Sequence, residues 1–301
     1  MADRLTVPPR EDRRAVAGGR RTGGTGRWLP AAVVAGVAVL AGGVVVVVTG
    51  GDEQAAGPAA SPPPPPEGVQ GSWVLDWSDE FDGGSLDRDT RQPNRYGLDD
   101  GDAPFEHDLE AAWFSPSNVS LRDGQLVLTV EEDPRELDGR DYPYRTGVVQ
   151  ATESHWTEPG TYVEARIQVP ECDGCWPAFW LVATDRWPPE IDVFEFFGTG
   201  EESRPSFNYH PEEGTQLGPE VYGEPGVDYR GSFHTYGVLW DGDRAVPHVD
   251  GRAYPAVAAD EVTDLPLMVI LNLSVEEGGE PAVGSEMLVD WVRVWRPATG
   301  R

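Results

Sequence analysis

Glu190-Ile191-Asp192-Val193-Phe194-Glu195-Phe196-Phe197-Gly198 places three carboxylates inside the most strand-like apolar run of the chain. Val, Ile and Phe favour a pleated strand, in which alternate side chains share a face, so Glu190 and Asp192 point one way and Ile191 and Val193 the other. Strict alternation would turn Glu195 away from them. One extra residue accommodated as a β-bulge near Val193 or Phe194 resets the alternation and returns Glu195 to the face of Glu190 and Asp192. Two glutamates four to five residues apart on a strand have Cα atoms roughly 13 to 16 Å apart, and side chains leaning together bring the carboxyls to roughly 5 to 6 Å. Asp192 between them adds like-charge repulsion, which couples the ionisations and lets one Glu stay protonated near neutral pH. The competing reading is a solvated strand face. Trp187, Phe194, Phe196 and Phe197 crowd the same segment and argue against it.

Working outward, further blocks follow in a fixed order: Trp77-Ser78-Asp79-Glu80-Phe81, Glu164-Ala165-Arg166-Ile167, Trp176-Pro177-Ala178-Phe179-Trp180-Leu181, His234-Thr235-Tyr236 and Met287-Leu288-Val289-Asp290-Trp291-Val292-Arg293-Val294. With the Glu-x-Asp-x-x-Glu pattern of 190–195, these resemble the family 16 glycoside hydrolases, in the bulged form of the laminarinase-like endo-β-1,3-glucanases. The resemblance covers roughly residues 73–296. It implies a β-jelly roll sandwich of two antiparallel sheets, concanavalin-like, and retaining endo-hydrolysis of a neutral polysaccharide, with β-1,3-glucan as the expected substrate. Mixed-linkage glucan, galactan and agarose are the alternatives within enzymes, with transglycosylation as a variant of the reaction, and a non-catalytic wall-anchored glucan-binding module is the alternative outside them. By the same resemblance Glu190 is the nucleophile, Glu195 the acid/base and Asp192 the group that tunes both. Trp176, Trp180, Trp187 and His210 are the implied substrate contacts, since flat indole faces suit the apolar C–H faces of sugars. No cofactor is implied for catalysis. Glu80 and Asp290 match the positions of a structural calcium. One departure is visible: Phe105-Glu106-His107-Asp108-Leu109-Glu110 stands where such enzymes usually carry Gly-Asn-x-Glu-Leu-Gln, so the sugar-reading surface differs.

The remaining pattern is all-β. Short alternating or apolar runs recur between turn signals at 73–77, 119–121, 126–130, 147–152, 160–169, 178–183, 191–197, 207–210, 233–240, 268–275 and 287–295, and no run of ten or more has helical period. This spacing is that of an antiparallel sandwich or barrel. Cys172 and Cys175 are the only cysteines. A structural metal site needs more ligands nearby, so a local Cys172–Cys175 disulfide is expected in an exported domain, with a free pair as the alternative.

Charge bounds the partners. The formal net charge is −29. Residues 1–67 hold seven arginines against six acids, leaving 16 basic and 46 acidic groups in the rest. That excess disfavours nucleic acid and polyanionic polymers and suits a neutral partner. Residues 1–27 are arginine-rich without apolar periodicity and read as a disordered cytoplasmic tail. Residues 28–49 carry no charge, about the 20 residues that cross a bilayer as one helix. With the arginines in front, a single-pass signal anchor with the catalytic domain outside the cell membrane is expected, and secretion after signal cleavage is the alternative. Residues 50–70, with Ser61-Pro62-Pro63-Pro64-Pro65-Pro66, read as an extended spacer, and 71–297 as the catalytic domain, expected to be a monomer.

Overall fold

The computed structural model describes residues 62–94, 102–105, 109–137, 139–184, 186–197, 203–258 and 262–298. The tail 1–27, the apolar segment 28–49 and most of the spacer therefore lie outside the described residues. Among the described residues no helix is long and apolar enough to cross a membrane, and the only helical turns are two short 3-10 segments, Pro116–Asn118 and Glu153–His155.

Two sheets make the sandwich. One runs, in spatial order, Leu217–Val221, Ser206–His210, Glu190–Glu195, Cys175–Ala183, Leu267–Val275, Val148–Ala151 and Arg91–Gln92. The other runs Arg252–Ala253, Arg244–Val249, His234–Trp240, Thr161–Gln168, Glu286–Pro297, Gln125–Thr129 and Val119–Arg122, with Trp73–Asp79 also paired to Glu286–Pro297 and Val257–Ala258 to Arg244–Val249. All pairings within these two sheets are antiparallel. The core between them takes the alternate apolar residues of both: Phe179, Leu181, Ile191, Phe194 and Leu271 from the first, Val163, Ala165, Tyr236, Val238 and Val292 from the second. Phe194 and Tyr236 meet with ring centroids 4.5 Å apart, which ties the carboxylate strand directly to the opposite sheet.

A third sheet of Ala112–Phe114, Arg140–Thr146 and Glu131–Leu137 stands beside these. The hairpin 131–146 was not expected as strand. Its alternation is carried by charges and interrupted by Pro134 and Pro143, so it lacks the apolar rhythm that marks a half-buried strand. Its charges are held locally: Arg135 lies 3.6 Å from the centre of the Trp113 ring and Arg145 5.6 Å from it.

The spacer ends earlier than expected. Pro66 and Val69 are buried, and Val69 packs with Tyr162 and Trp295 on the outer face of the second sheet. Gly68 passes so close to Gly251 that a Cβ at Gly68 would lie 1.6 Å from the Gly251 carbonyl oxygen. The last turn of the proline-rich stretch is thus part of the domain, held by two apolar side chains that its composition conceals.

Candidate active site

The strand Glu190–Glu195 is central in its sheet, between Cys175–Ala183 and Ser206–His210. Asp192 pairs with Trp180 but Phe194 pairs with Phe179, so one residue of the carboxylate strand is extra. On the other side Val193 and Phe194 together oppose the single residue between Asn208 and Ser206. This bulge sits where the apolar residues would otherwise have rotated Glu195 into the core. Glu190, Asp192 and Glu195 then occupy one face, opposite Val182, Trp180 and Ala178 of the neighbouring strand.

Each carboxylate has its own partners. Trp187 donates its indole N–H to Oε2 of Glu190 at 3.0 Å. His210, cross-strand from Glu190, places Nε2 3.3 Å from Oδ2 of Asp192 and 3.8 Å from Oε1 of Glu190. Glu195 is held at both oxygens, by the Trp176 indole N–H on Oε1 at 2.9 Å and by a short bond from the Asn208 side-chain N–H on Oε2. Ser206 Oγ donates to the backbone carbonyl of Glu195 at 3.1 Å, fixing the strand beneath it.

Burial pushes all three acids up from their ordinary range, because a charge loses hydration in the sheet interior. For Glu190 the negative neighbours Asp192 and Glu195 add to this, while His210 and the Trp187 N–H oppose it. Asp192 is pushed well up by burial and by Glu195, with only a hydrogen bond from Glu190 acting against the rise. Glu195 is pushed up by burial alone and restrained by Trp176, Asn208 and His210. Burial and mutual repulsion make it costly for all three to ionise together, so the cluster retains a proton near neutral pH.

The aromatic residues expected at the site divide. Trp176 and Trp187 are half-buried and reach the carboxylates directly. Trp180 is only 8% exposed, its N–H donating to Oδ1 of Asn272 at 2.7 Å and its ring 5.6 Å from Phe105, so it offers little open face to a sugar. Cys172 and Cys175 form a disulfide in the loop before Trp176. Glu110, in the stretch that departs from the usual pattern, is buried and accepts from Ser274 Oγ at 2.7 Å. Asn208 carried a signal that the sequence reading passed over: Ser206-Phe207-Asn208-Tyr209-His210 alternates polar and apolar, which puts Asn208 on the face of His210. Two apparent glycosylation sequons, at Asn118 and Asn272, fall on buried side chains.

Glu80 and Asp290 do not fit a calcium site as they stand. Glu80 accepts two hydrogen bonds from Arg293, at 3.0 and 2.8 Å, and Asp290 accepts from Arg166 at 2.7 Å, so arginine engages both oxygens of Glu80 and Oδ2 of Asp290.

The family described as glycosyl hydrolases family 16 matches residues 105–293. The chain belongs to glycosyl hydrolases family 16. Among curated relatives it is 33% identical over 193 residues to the endo-1,3-1,4-beta-glycanase ExsH of Rhizobium meliloti, covering 60% of this chain and 40% of that protein. It is 28% identical over 265 residues to a glucan endo-1,3-beta-glucosidase of Cryptopygus antarcticus, covering 75% of this chain and 93% of that protein. The chain spans about 40% of the length of ExsH and of its Rhizobium meliloti relative EglC. A solved endo-beta-1,3-glucanase from Pyrococcus furiosus superposes with a TM-score of 0.64 at 27% identity, covering 76% of this chain and 96% of that one.

Proposed function

We propose that this family 16 domain is a retaining endo-acting hydrolase of a β-glucan, with β-1,3-linked glucan as substrate. The observation that carries the reading is the bulged strand, which sets three carboxylates on one face and gives each a different set of donors. Glu190, steadied by the Trp187 N–H, attacks the anomeric carbon. Glu195 gives its proton to the departing glycosidic oxygen as that bond breaks, and a covalent glycosyl ester on Glu190 results. A water then loses a proton to Glu195 and attacks the same carbon, releasing Glu190 and a sugar of unchanged anomeric configuration. The proton that Glu190 shares with Asp192 passes to Asp192 as Glu190 attacks, and its position sets the reactivity of both glutamates. Trp176 and Trp187 flank the reacting bond as sugar platforms, with His210 beside them.

The names of ExsH and EglC support a second reading for the substrate, a mixed-linkage β-1,3-1,4-glucan, and a galactan endo-beta-1,3-galactanase of Flammulina velutipes, 39% identical over 90 residues, supports a third. The uncharged segment 28–49 behind an arginine-rich tail supports a membrane anchor with the domain outside. Reducing-end release by the full chain on β-1,3-glucan, mixed-linkage glucan, β-1,3-galactan and agarose tests the reading. Cleavage of β-1,3-glucan is the expected result. Binding without release on every polymer overturns it in favour of a recognition module.

A further inference from the structure

The hydrogen bonds behind Glu195 continue past the site. Asn208 donates its side-chain N–H to Glu195, and its own Oδ1 accepts from Nε2 of Gln216 at 2.8 Å. A side-chain amide has one donor end and one acceptor end. While Gln216 donates to Oδ1, the NH₂ end of Asn208 must face the carboxylate. Turned over, the amide would set Oδ1 against a Glu195 oxygen and its NH₂ against that of Gln216.

The edge strand is built to bring Gln216 there. Leu217–Val221 pairs with Ser206–His210 through an irregular register, Tyr209 opposite Leu217 but Phe207 opposite Glu220. At the irregularity Gly218 has φ 124°, and a Cβ on it would lie 2.6 Å from the Phe207 carbonyl oxygen and 2.8 Å from Oδ1 of Asn208. Only glycine lets the edge strand pass this close over the Asn208 amide. Gln216 itself is exposed at the sheet edge, whereas Asn208 and Glu195 are buried.

We propose that Gln216 is a positioning residue for Glu195, acting through Asn208 by fixing which end of that amide the acid/base meets. This rests on the reading of Glu195 as acid/base. The other groups facing Glu195 are Asp192 and Glu190 on its own strand, His210 on the next and the uncharged Trp176 indole on the previous one. A donor to a carboxylate favours the ionised form, so loss of the Gln216 bond, which frees Asn208 to turn, raises the pH at which Glu195 loses its proton.

The test is a carbon-13 carboxyl titration of Glu195 in the full chain, the resonance assigned by its loss in Glu195→Gln, run beside the pH profile of glucan hydrolysis. Gln216→Ala should move the Glu195 titration upward by about half a pH unit, the scale of one hydrogen bond. Gln216→Glu should move it further, because a carboxylate at 216 attracts the NH₂ end of Asn208 and turns Oδ1 to Glu195. Gln216→Lys, which keeps a donor, should return it to the wild-type position or below. Thermal unfolding should be unchanged in all three, as the side chain is exposed. A Glu195 titration that stays at the wild-type position in both the Ala and Glu variants overturns the relay. A titration that moves as expected in a protein that cleaves none of the polymers leaves the relay standing and overturns the functional reading instead.

Discussion

The indole N–H of Trp176 reaches Oε1 of Glu195 at 2.9 Å from the neighbouring strand, while Asn208 holds the other oxygen from the strand on the opposite side. Glu195 is thus clamped between two strands by two N–H donors. Both favour its ionised form and restrain the rise that burial imposes. An acid/base needs this balance, because it must give a proton in the first step and take one in the second.

Trp176→Phe keeps a ring against Phe197, now 5.3 Å from it, and removes only the N–H. The proton on Glu195 should then be held to higher pH, moving the alkaline limb of kcat/KM up by about half a pH unit, the scale of one lost hydrogen bond. Deglycosylation should slow as well, since a carboxylate deprived of a donor rests protonated more of the time. A pH profile that superimposes on wild type would show that this bond positions the tryptophan and does not tune the acid.

Replacing each glutamate separates the two chemical steps. Glu190→Gln should abolish hydrolysis of every substrate, because no ester can form. Glu195→Gln should lower turnover of polymeric glucan by about 10²- to 10⁴-fold, the contribution of a positioned proton donor. On an aryl glycoside whose leaving group needs no proton, its first step should survive, and added azide should speed the second. Proton NMR of the wild-type reaction should show the β anomer first. An α anomer appearing first would exclude the retaining route.

The carboxylate strand was legible because its departure from alternation was itself the signal: three acids that share a face in a run of Ile, Val and Phe require a bulge. The same rhythm elsewhere marked an antiparallel sandwich or barrel, and the family resemblance narrowed it to the sandwich. The hairpin 131–146 was not legible, since most of its alternating residues are charges, held by Arg–Trp stacking and by the ion pairs of Arg145 with Glu131 and Asp133. Pro66 and Val69 were hidden for the opposite reason, two apolar residues docking from a stretch whose composition spells spacer. Asn208 could have been found by alternation from His210. Gln216 could not, because its reach depends on a register break between the edge strand and its neighbour that no local pattern announces.

Gly237 lies opposite Glu164 in the second sheet, where a Cβ would stand 2.3 Å from the Tyr162 hydroxyl oxygen and 2.7 Å from the ring carbon bearing it. Tyr162 is 1% exposed, packed with Val69 and Trp295, and has nowhere to move. Gly237→Ala should therefore destabilise the domain by about 1–3 kcal/mol, the usual range for overpacking. Chemical denaturation should show this as a lower midpoint with an unchanged slope. The same protein should keep its pH profile, because the change sits in the sheet that does not carry the carboxylates.

Glu164 gives the domain a pH-dependent stability separate from catalysis. It is 5% exposed, and burial raises its pKa to about 7, against the opposing effects of the Trp295 N–H at 2.8 Å and of Arg293. The unfolded chain releases this proton near the ordinary glutamate value, whereas the folded chain holds it to about 7. Between those values the folded state binds more protons than the unfolded one, so stability falls as pH rises and levels off above the folded value. The contribution is about 3 kcal/mol at full extent, an order-of-magnitude figure from the size of the shift. Glu164→Gln retains an acceptor for Trp295 and has nothing to ionise. Compared with wild type it should be more stable at pH 8, and the difference should shrink through the pH 4.5 to 7 window and be lost below it. Denaturation curves of both proteins at pH 4, 6 and 8 measure this directly, and a constant difference at all three would mean that folding leaves the pKa of Glu164 unshifted.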